Sequence, residues 1–417
     1  MTLLAELQAI CGEGHAEPAA PRHTLLGSPP RWVAAPGSTD EVAAVVGLAA
    51  SHQIATVVRG GGSKLHWGPA PEVELLLDLR RLAGVVAYPP EGRQATVLAG
   101  SRLGALQSVF AARGQRLALD PPGAATVGGA ISTDDRGPLR ARHGAARNLL
   151  TDLTVVRGDG AVCRASSYST GVPGYDLTAL VSGGFGAFGV ITEATFRLHE
   201  LPAAQRWVVR AVTSPAEVRE LVESVLARYP VPTAVEVNHP HGLHEGPDQL
   251  GVLLEGAPDQ VARCAASMAM SLSDGDVVVT AEPPDWWHEH PFGVDDVALR
   301  LTTPPSEMYA LSYVLRDVAG DAPVRCRCSP GVATMLVALP GNLEPSRVNG
   351  IVEGVRHTLI ARQGSCEVLH APDPVRQAID MWGPTPDIEL LGRARRVCDP
   401  RHVLARGRHA ADQSCRR

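Results

Sequence analysis

The stretch Arg59-Gly60-Gly61-Gly62-Ser63-Lys64 follows a β-branched run, Ile54-Ala55-Thr56-Val57-Val58, and precedes Leu65-His66-Trp67-Gly68. Three successive glycines remove every Cβ from one length of backbone. This permits positive φ and lets neighbouring amide N–H groups turn toward one point, forming a concavity suited to an anion. Arg59 and Lys64 add positive charge on either side. The chemistry fits a phosphate or pyrophosphate, although a glycine triplet alone is better described as a flexible surface loop. Lys64 is the sole lysine among 38 Lys and Arg residues, a mild pointer to a local requirement.

On the N-terminal side, residues 1–30 open with a short amphipathic helix and continue as an arm rich in Pro, Gly and His. Trp32-Val33-Ala34 reads as a strand. Pro36-Gly37-Ser38-Thr39-Asp40-Glu41 is a turn into a helix over residues 42–51, with Ser38 or Thr39 as cap and two acids in the first turn. On the C-terminal side, Leu75-Leu76-Leu77-Asp78-Leu79 and Ala95-Thr96-Val97-Leu98 are strands. Residues 103–112 form a helix that Gly114 terminates. A second special loop follows, from Asp120-Pro121-Pro122-Gly123 through Thr126 and Gly128-Gly129 to Ser132. It is stiff at its prolines, permissive at its glycines, and carries hydroxyls at Thr126 and Ser132. Such a backbone can approach a planar or phosphorylated ligand closely.

Leu153-Thr154-Val155-Val156 pairs through Gly158-Asp159-Gly160 with Ala161-Val162-Cys163 as a hairpin. Gly174-Tyr175-Asp176-Leu177 opens a short helix ending at Gly183. Gly184-Phe185-Gly186-Ala187-Phe188-Gly189 matches G-x-G-x-x-G, but a dinucleotide fingerprint leaves a strand and enters a helix. Here a helix precedes and the strand 190–198 follows, so the Rossmann reading is rejected. Beyond Pro202 come strands at 207–212, 234–237 and 250–254, with helices at 216–227 and 259–270. This pattern predicts an antiparallel sheet covered by helices on one side. The basic segment 399–417 is expected to fray at its tip.

At 417 residues the chain has room for two or three domains, and 45% apolar with 20% charged residues is an ordinary globular composition. A net charge of −6 gives no electrostatic reason to expect nucleic acid. No stretch approaches the roughly 20 apolar residues of a membrane-spanning helix. Residues 1–7 lack the basic region of a signal peptide, so the expected location is the cytoplasm, with contact to the inner membrane only through partners. The eight cysteines form no C-x-x-C pair, and Cys326-Arg327-Cys328 has no partners at zinc-ligand spacing. Reduced structural thiols are expected, with no metal and no iron–sulfur cluster in this chain.

Three sites taken together carry a resemblance. They are Arg59–Lys64; Pro122-Gly123-x-x-Thr126-Val127-Gly128-Gly129-x-Ile131; and Gly174-Tyr175-Asp176-Leu177 with Gly186-x-x-Gly189-Val190-Ile191-Thr192-Glu193-Ala194-Thr195. In order and spacing the chain resembles the FAD-binding domain of the p-cresol methylhydroxylase / vanillyl-alcohol oxidase family. Within it the chain is most similar to the FAD-binding E subunit of bacterial glycolate oxidase. Further similarity lies at Gly137-Pro138-Leu139-Arg140, Trp286-Trp287, Pro291-Phe292, Met381-Trp382-Gly383-Pro384 and from Asp399-Pro400 to Gly407-Arg408.

The resemblance implies an α+β fold. An N-terminal helix and arm (1–26) would precede a two-lobed FAD-binding PCMH-type domain (27–202). A cap domain with an antiparallel sheet covered by helices (203–398) and a tail (399–417) would follow. It implies that amides of Gly60, Gly61, Gly62 and Ser63 hold the FAD pyrophosphate, with Arg59 orienting the loop and Lys64 beside it. Pro122, Gly123, Thr126, Gly128, Gly129 and Ser132 would pass along the flavin and ribityl chain. Gly189 and Ile191 would meet the adenine or flavin. Relatives that tether FAD covalently carry a histidine where Ser63 stands, so noncovalent FAD is implied.

The chain also departs from its relatives. Those that oxidise 2-hydroxy acids often carry Lys-Asn before Gly-Tyr-Asp, where Ser169-Thr170-Gly171-Val172-Pro173 stands here. Gly-Ser-x-Gly becomes Gly183-Gly184-Phe185-Gly186, and a C-terminal Asn-Pro-Gly becomes Ala405-Arg406-Gly407. The histidine-rich metal site of D-2-hydroxyacid dehydrogenases is missing. In Asp285-Trp286-Trp287-His288-Glu289-His290, His288 and His290 are candidate proton acceptors. The competing reading is a helix whose tryptophans pack into the core. Arg142, with Arg140 and Arg147, is a candidate carboxylate binder, against a solvated basic face. His239-Pro240-His241-Gly242-Leu243-His244-Glu245 offers metal-type donors but reads better as a hairpin turn.

Two functional expectations stand. One is an FAD-dependent oxidoreductase acting on a small hydroxylated compound such as a 2-hydroxy acid. The other is an FAD-carrying accessory or electron-transfer subunit working with a second flavoprotein and an iron–sulfur subunit. A secondary-metabolite flavin oxidase with a new pocket is a third.

Overall fold

The computed structural model describes residues 2–166, 171–172, 174–228, 232–240 and 248–412. The chain forms two compact units. The first comprises residues 1–136, 145–201 and 385–417, the second residues 137–144 and 202–384.

The first unit holds two main sheets and two short two-stranded ones. The smaller main sheet has the strand order Ala16–Pro18, Trp32–Ala34, Leu75–Asp78, Thr56–Arg59. Both neighbours of Leu75–Asp78 pair with it in parallel. Parallel pairing needs a crossover. The helix Thr39–Ser51 supplies one between Trp32–Ala34 and Thr56–Arg59. Ser38 caps this helix, its Oγ accepting from the Glu41 N–H at 3.1 Å. Leu75–Asp78 is buried at every position, as a continuous apolar run should be when both faces are covered.

The larger sheet is antiparallel, in the order Val85–Ala87, Gln94–Leu98, Val190–Arg197, Leu150–Val156, Val162–Ser166. Its last two strands form the expected hairpin, with Gly160 at φ +86°. Helices Leu103–Ala111 and Val127–Thr133 share its core through Leu106, Phe110, Val127 and Ile131. The G-x-G-x-x-G run lies between helix Leu177–Val181 and strand Val190–Arg197, the reverse of the dinucleotide context.

The second unit is built on one eight-stranded sheet, antiparallel throughout. Its order is Val277–Thr280, Ala204–Val212, Asp248–Gly256, Ala234–His239, Arg325–Ser329, Thr334–Leu339, Val297–Thr302, Ser365–His370. Helices Pro215–Arg228, Pro258–Ser271, Met308–Ala319 and Pro345–Ile360 share a core with the face carrying Val208, Val237, Leu250, Val337 and Leu299. In Met308–Ala319 the buried residues Met308, Leu311, Leu315 and Ala319 recur at helical spacing and form its apolar stripe. Trp207, Ala234 and Leu253 pack with Trp286 and Trp287 in a separate cluster. The fold class is the expected α+β.

Several local readings need correction. Residues 137–144 group with the second unit, and helix Ile388–Cys398 groups with the first. That helix buries Ala394 and Cys398 in the core of the larger sheet. Asp285–His290 is a run of turns, not a helix, because prolines at 283, 284 and 291 bracket it. Trp287 is buried all the same. The basic C-terminal segment packs from Val403 to Asp412, and the tip expected to fray, 413–417, lies outside the described residues. The readings of His241–Glu245, of Ser169 and Thr170 and of Pro173 fall outside the described residues.

Candidate functional site

The strand Thr56–Arg59 delivers the chain into the glycine triplet. A Cβ on Gly60 would stand 2.2 Å from Thr126 Oγ1, and one on Gly61 would stand 2.9 Å from the Ala124 carbonyl oxygen. These two glycines therefore let the first loop lie against the second. Gly62 serves a different need, since its φ of +83° lies in the left-handed region. Thr126 joins both loops. Its Oγ1 accepts from the Gly61 N–H at 3.4 Å and from the Gly129 N–H at 3.4 Å, capping the helix Val127–Thr133. The amides of Gly62, Ser63 and Lys64 find no protein acceptor among the described residues. Successive uncommitted amides on a glycine turn form an anion nest.

The flanking charges are fixed. The Arg59 guanidinium pairs with Asp78, which Arg80 also binds. Burial opposes the charge on Asp78, but hydrogen bonds from Arg80 and Arg59 outweigh it and hold the carboxyl below its ordinary value. Arg59 thereby ties the start of the loop to the neighbouring strand. Lys64 Nζ lies 3.2 Å from Asp135 Oδ2 and donates to the Pro122 carbonyl at 3.3 Å. Its side chain is 12% exposed and that of Asp135 is 4% exposed, so this is a buried pair that spans both loops.

The two loops open on one cavity. Its wall includes Gly60, Gly61, Gly62, Ser63, Lys64, Thr126, Gly128, Gly129, Ser132, Gly189 and Ile191 from the sequence reading. Arg59, Pro122 and Gly123 are not among its lining residues. Pro122 contributes the carbonyl that holds Lys64, and Gly123 turns the chain at φ +81°. Gly189 combines a φ of +144° with close packing, since a Cβ there would stand 2.4 Å from Val155 Cγ1.

Asp135, Phe185 and Arg408 also line the cavity and were missed by sequence reasoning. Arg408 donates to the carbonyls of Lys64 (3.1 Å), Leu65 (3.1 Å) and Trp67 (2.9 Å), clamping the end of the glycine loop. The available signal was the Gly407-Arg408 pair, whose glycine sits at φ +76°.

The described cavity wall comes from the first unit alone, whereas His288, His290 and Arg142 belong to the second. His288 is exposed, and desolvation, then Arg327, lowers its pKa. The His290 ring stacks on Phe292 with centroids 4.8 Å apart. Arg142 donates to Thr233 Oγ1 at 3.4 Å and Arg140 to Thr334 Oγ1 at 3.2 Å.

Residues 30–166 match the FAD binding domain family. The chain is 29% identical over 190 residues to glycolate oxidase subunit GlcE of Escherichia coli (strain K12), covering 45% of this chain and 54% of that one. It is 27% identical over 213 residues to glycolate oxidase subunit GlcD of Bacillus subtilis (strain 168), covering 50% and 45%. It is 33% identical over 189 residues to D-2-hydroxyglutarate dehydrogenase of Xanthomonas citri pv. viticola, covering 44% and 40%. The matches thus span 40% to 54% of the length of these relatives. Two solved structures of alkyldihydroxyacetonephosphate synthase superpose with TM-scores of 0.66 and 0.67 at 16% identity. They cover 90% and 91% of this chain and 77% and 76% of theirs. At that identity the likeness speaks for the fold. The nest of amides, the glycine-rich wall and the buried lysine suit a pyrophosphate-bearing cofactor. Residues 30–166 thus form a segment of the FAD-binding domain family, and FAD is the cofactor that this match supports.

Proposed function

We propose that the chain is an FAD-dependent oxidoreductase that oxidises a small hydroxylated compound, with 2-hydroxy acids as the first class to test. The observation that carries this reading is the pair of glycine loops walling one cavity inside the segment that matches the FAD binding domain family. Bound FAD supplies a two-electron acceptor for hydride. The amides of Gly62, Ser63 and Lys64 hold the pyrophosphate charge, and the Lys64 ammonium adds to the field there. Thr126 fixes the helix Val127–Thr133, so Gly128 and Gly129 present backbone to the cofactor. Ser63 stands where tethering relatives carry histidine, which supports noncovalent FAD.

A second reading is favoured by the missing Lys-Asn pair and by the likeness to GlcE, a subunit of glycolate oxidase. In it the chain carries FAD within an assembly and passes electrons to partner chains.

Purified protein should be yellow, and acid should release free FAD. Anaerobic mixing with glycolate or D-lactate should bleach the flavin if the chain is a complete enzyme. Bleaching only after partner chains are added selects the second reading. Gly61→Val should abolish FAD retention, because its Cβ would press on the Ala124 carbonyl oxygen. A colourless protein that added FAD does not restore would overturn both readings.

A further inference from the structure

In the second unit, His239, Cys326 and Cys328 converge in a buried layer. The antiparallel register sets His239 opposite Cys326 on neighbouring strands. Alternate residues of a strand share a face, so Cys328 projects beside Cys326. The three residues are 2%, 0% and 5% exposed. Their donor atoms all lie within 4.8 Å of one another. One imidazole and two sulfurs around a common point form a donor set suited to zinc, and thiolate-rich sets also select Cu⁺. Tetrahedral zinc with bonds of about 2.3 Å to sulfur places two sulfurs about 3.8 Å apart. A contraction of about 1 Å or less would therefore close the set on an ion.

Asp248 adds an independent observation. Its Oδ2 lies 2.7 Å from His239 Nδ1. A carboxylate on the remote ring nitrogen fixes the tautomer and raises ligand basicity, leaving Nε2 for an ion. A small cavity lined by His239, Cys328, Tyr309 and Ser312 adjoins the group.

We propose that His239, Cys326 and Cys328 bind one d¹⁰ cation, Zn²⁺ or Cu⁺, with Asp248 as a positioning residue. Two metal–sulfur bonds and one metal–nitrogen bond form, and two S–H bonds and one N–H bond of the His239 imidazolium break. The protons leave to solvent, and no electron is transferred. Without an ion, the hydrogen bond with Cys326, and then burial, push the Cys328 thiol well above its ordinary value. Formation of the thiolates is therefore coupled to binding. The ion cross-links the strands Ala234–His239 and Arg325–Ser329. The inference does not rest on the flavin reading, since none of these residues lines the FAD cavity.

The test uses the full chain carrying its FAD. It is stripped with a chelator and titrated separately with Zn²⁺, with Co²⁺ as a spectroscopic substitute, and anaerobically with Cu⁺. One ion per chain is expected by elemental analysis, and Co²⁺ should give an intense thiolate-to-cobalt charge-transfer band. Tight Zn²⁺ uptake with that band assigns zinc, and tight uptake of Cu⁺ alone assigns copper. Asp248→Asn should weaken binding about 10–100-fold while FAD is retained. The double variant Cys326→Ser, Cys328→Ser should take up no ion. The wild-type cobalt spectrum reads thiolate ligation even if that variant fails to fold. No stoichiometric uptake of any of the three ions, or uptake without the charge-transfer band and unchanged by Asp248→Asn, overturns the proposal.

Discussion

Lys64 places the sole lysine ammonium of the chain where two loops meet, and its partner Asp135 is nearly inaccessible to water. Lys64→Met leaves that buried carboxylate without the ammonium. Breaking one half of a buried pair costs about 3–5 kcal/mol. The expected result is a loss of about 3 kcal/mol in denaturant unfolding together with weakened FAD binding in a fluorescence titration. Adding Asp135→Asn should restore part of the stability and none of the FAD affinity, because the second loss comes from the anion. The sequence marked Lys64 as unusual but not its partner, since Asp135 is distant along the chain and carries no motif. The glycines were legible in kind, through the positive φ that Gly62 adopts. What the sequence did not show is that Gly60 and Gly61 also leave room for Thr126 and Ala124. Loop-on-loop packing of this sort leaves no periodic trace in the sequence.

Among the elements, the C-terminal segment changes meaning most. Thr56 N–H donates to the Val403 carbonyl at 2.7 Å, and Ala405 N–H donates to the Thr56 carbonyl at 2.8 Å. The segment thereby adds to the edge of the strand that leads into the glycine loop. Asp399 secures its turn by accepting from the amides of Val403 (3.0 Å) and Leu404 (2.8 Å). Arg395 pairs with Asp399 and Asp412, both at 3.2 Å. Short strands and capped helices were legible because their signals are local: Ser38, Gly114 and the Gly158-Asp159-Gly160 turn each act within a few residues. The C-terminal brace pairs residues at opposite ends of the chain, and basic composition alone reads as a solvated tail. Arg408→Ala removes the donor from three loop carbonyls and should lower FAD affinity at least about 10-fold with far-UV circular dichroism unchanged, charged hydrogen bonds being worth about 1.5–3 kcal/mol each. Elsewhere, Gly350 lies inside the helix Pro345–Ile360, and nothing stands within 4 Å of where its Cβ would be. Gly350→Ala should therefore stabilise the second unit by about 0.5–1 kcal/mol in chemical denaturation, with FAD affinity unchanged.

Across the whole molecule, each unit has its own core, so each carries its own dependence on pH. The division near Pro202 was legible as a change from glycine-rich loops to alternating strands and helices. The passage of residues 137–144 into the second unit was not, because a basic run does not reveal what it packs against. In the first unit, Asp78 anchors the glycine loop with its carboxyl held below the ordinary value of about 4. A depressed carboxylate contributes stability above its unfolded pKa and loses it as pH falls through the folded one. Glu236 in the second unit works in the opposite direction. It is 2% exposed, and Ser329 Oγ donates to its Oε2 at 2.8 Å. Burial outweighs that hydrogen bond and the nearby Arg327 charge, pushing the carboxyl up to about 8. A raised acid favours the folded state fully below its unfolded pKa of about 4.3, and the contribution declines as pH rises toward the folded value. The transition that releases FAD should therefore fall in temperature on acidification below about pH 4. A second transition, reporting the other unit, should fall between about pH 4.3 and 8. Differential scanning calorimetry with simultaneous flavin fluorescence separates the two. Glu236→Gln should flatten the alkaline decline of the second transition and leave the FAD-releasing one unchanged. If Glu236→Gln leaves that decline as steep as in the wild type, the buried carboxyl is not what drives it.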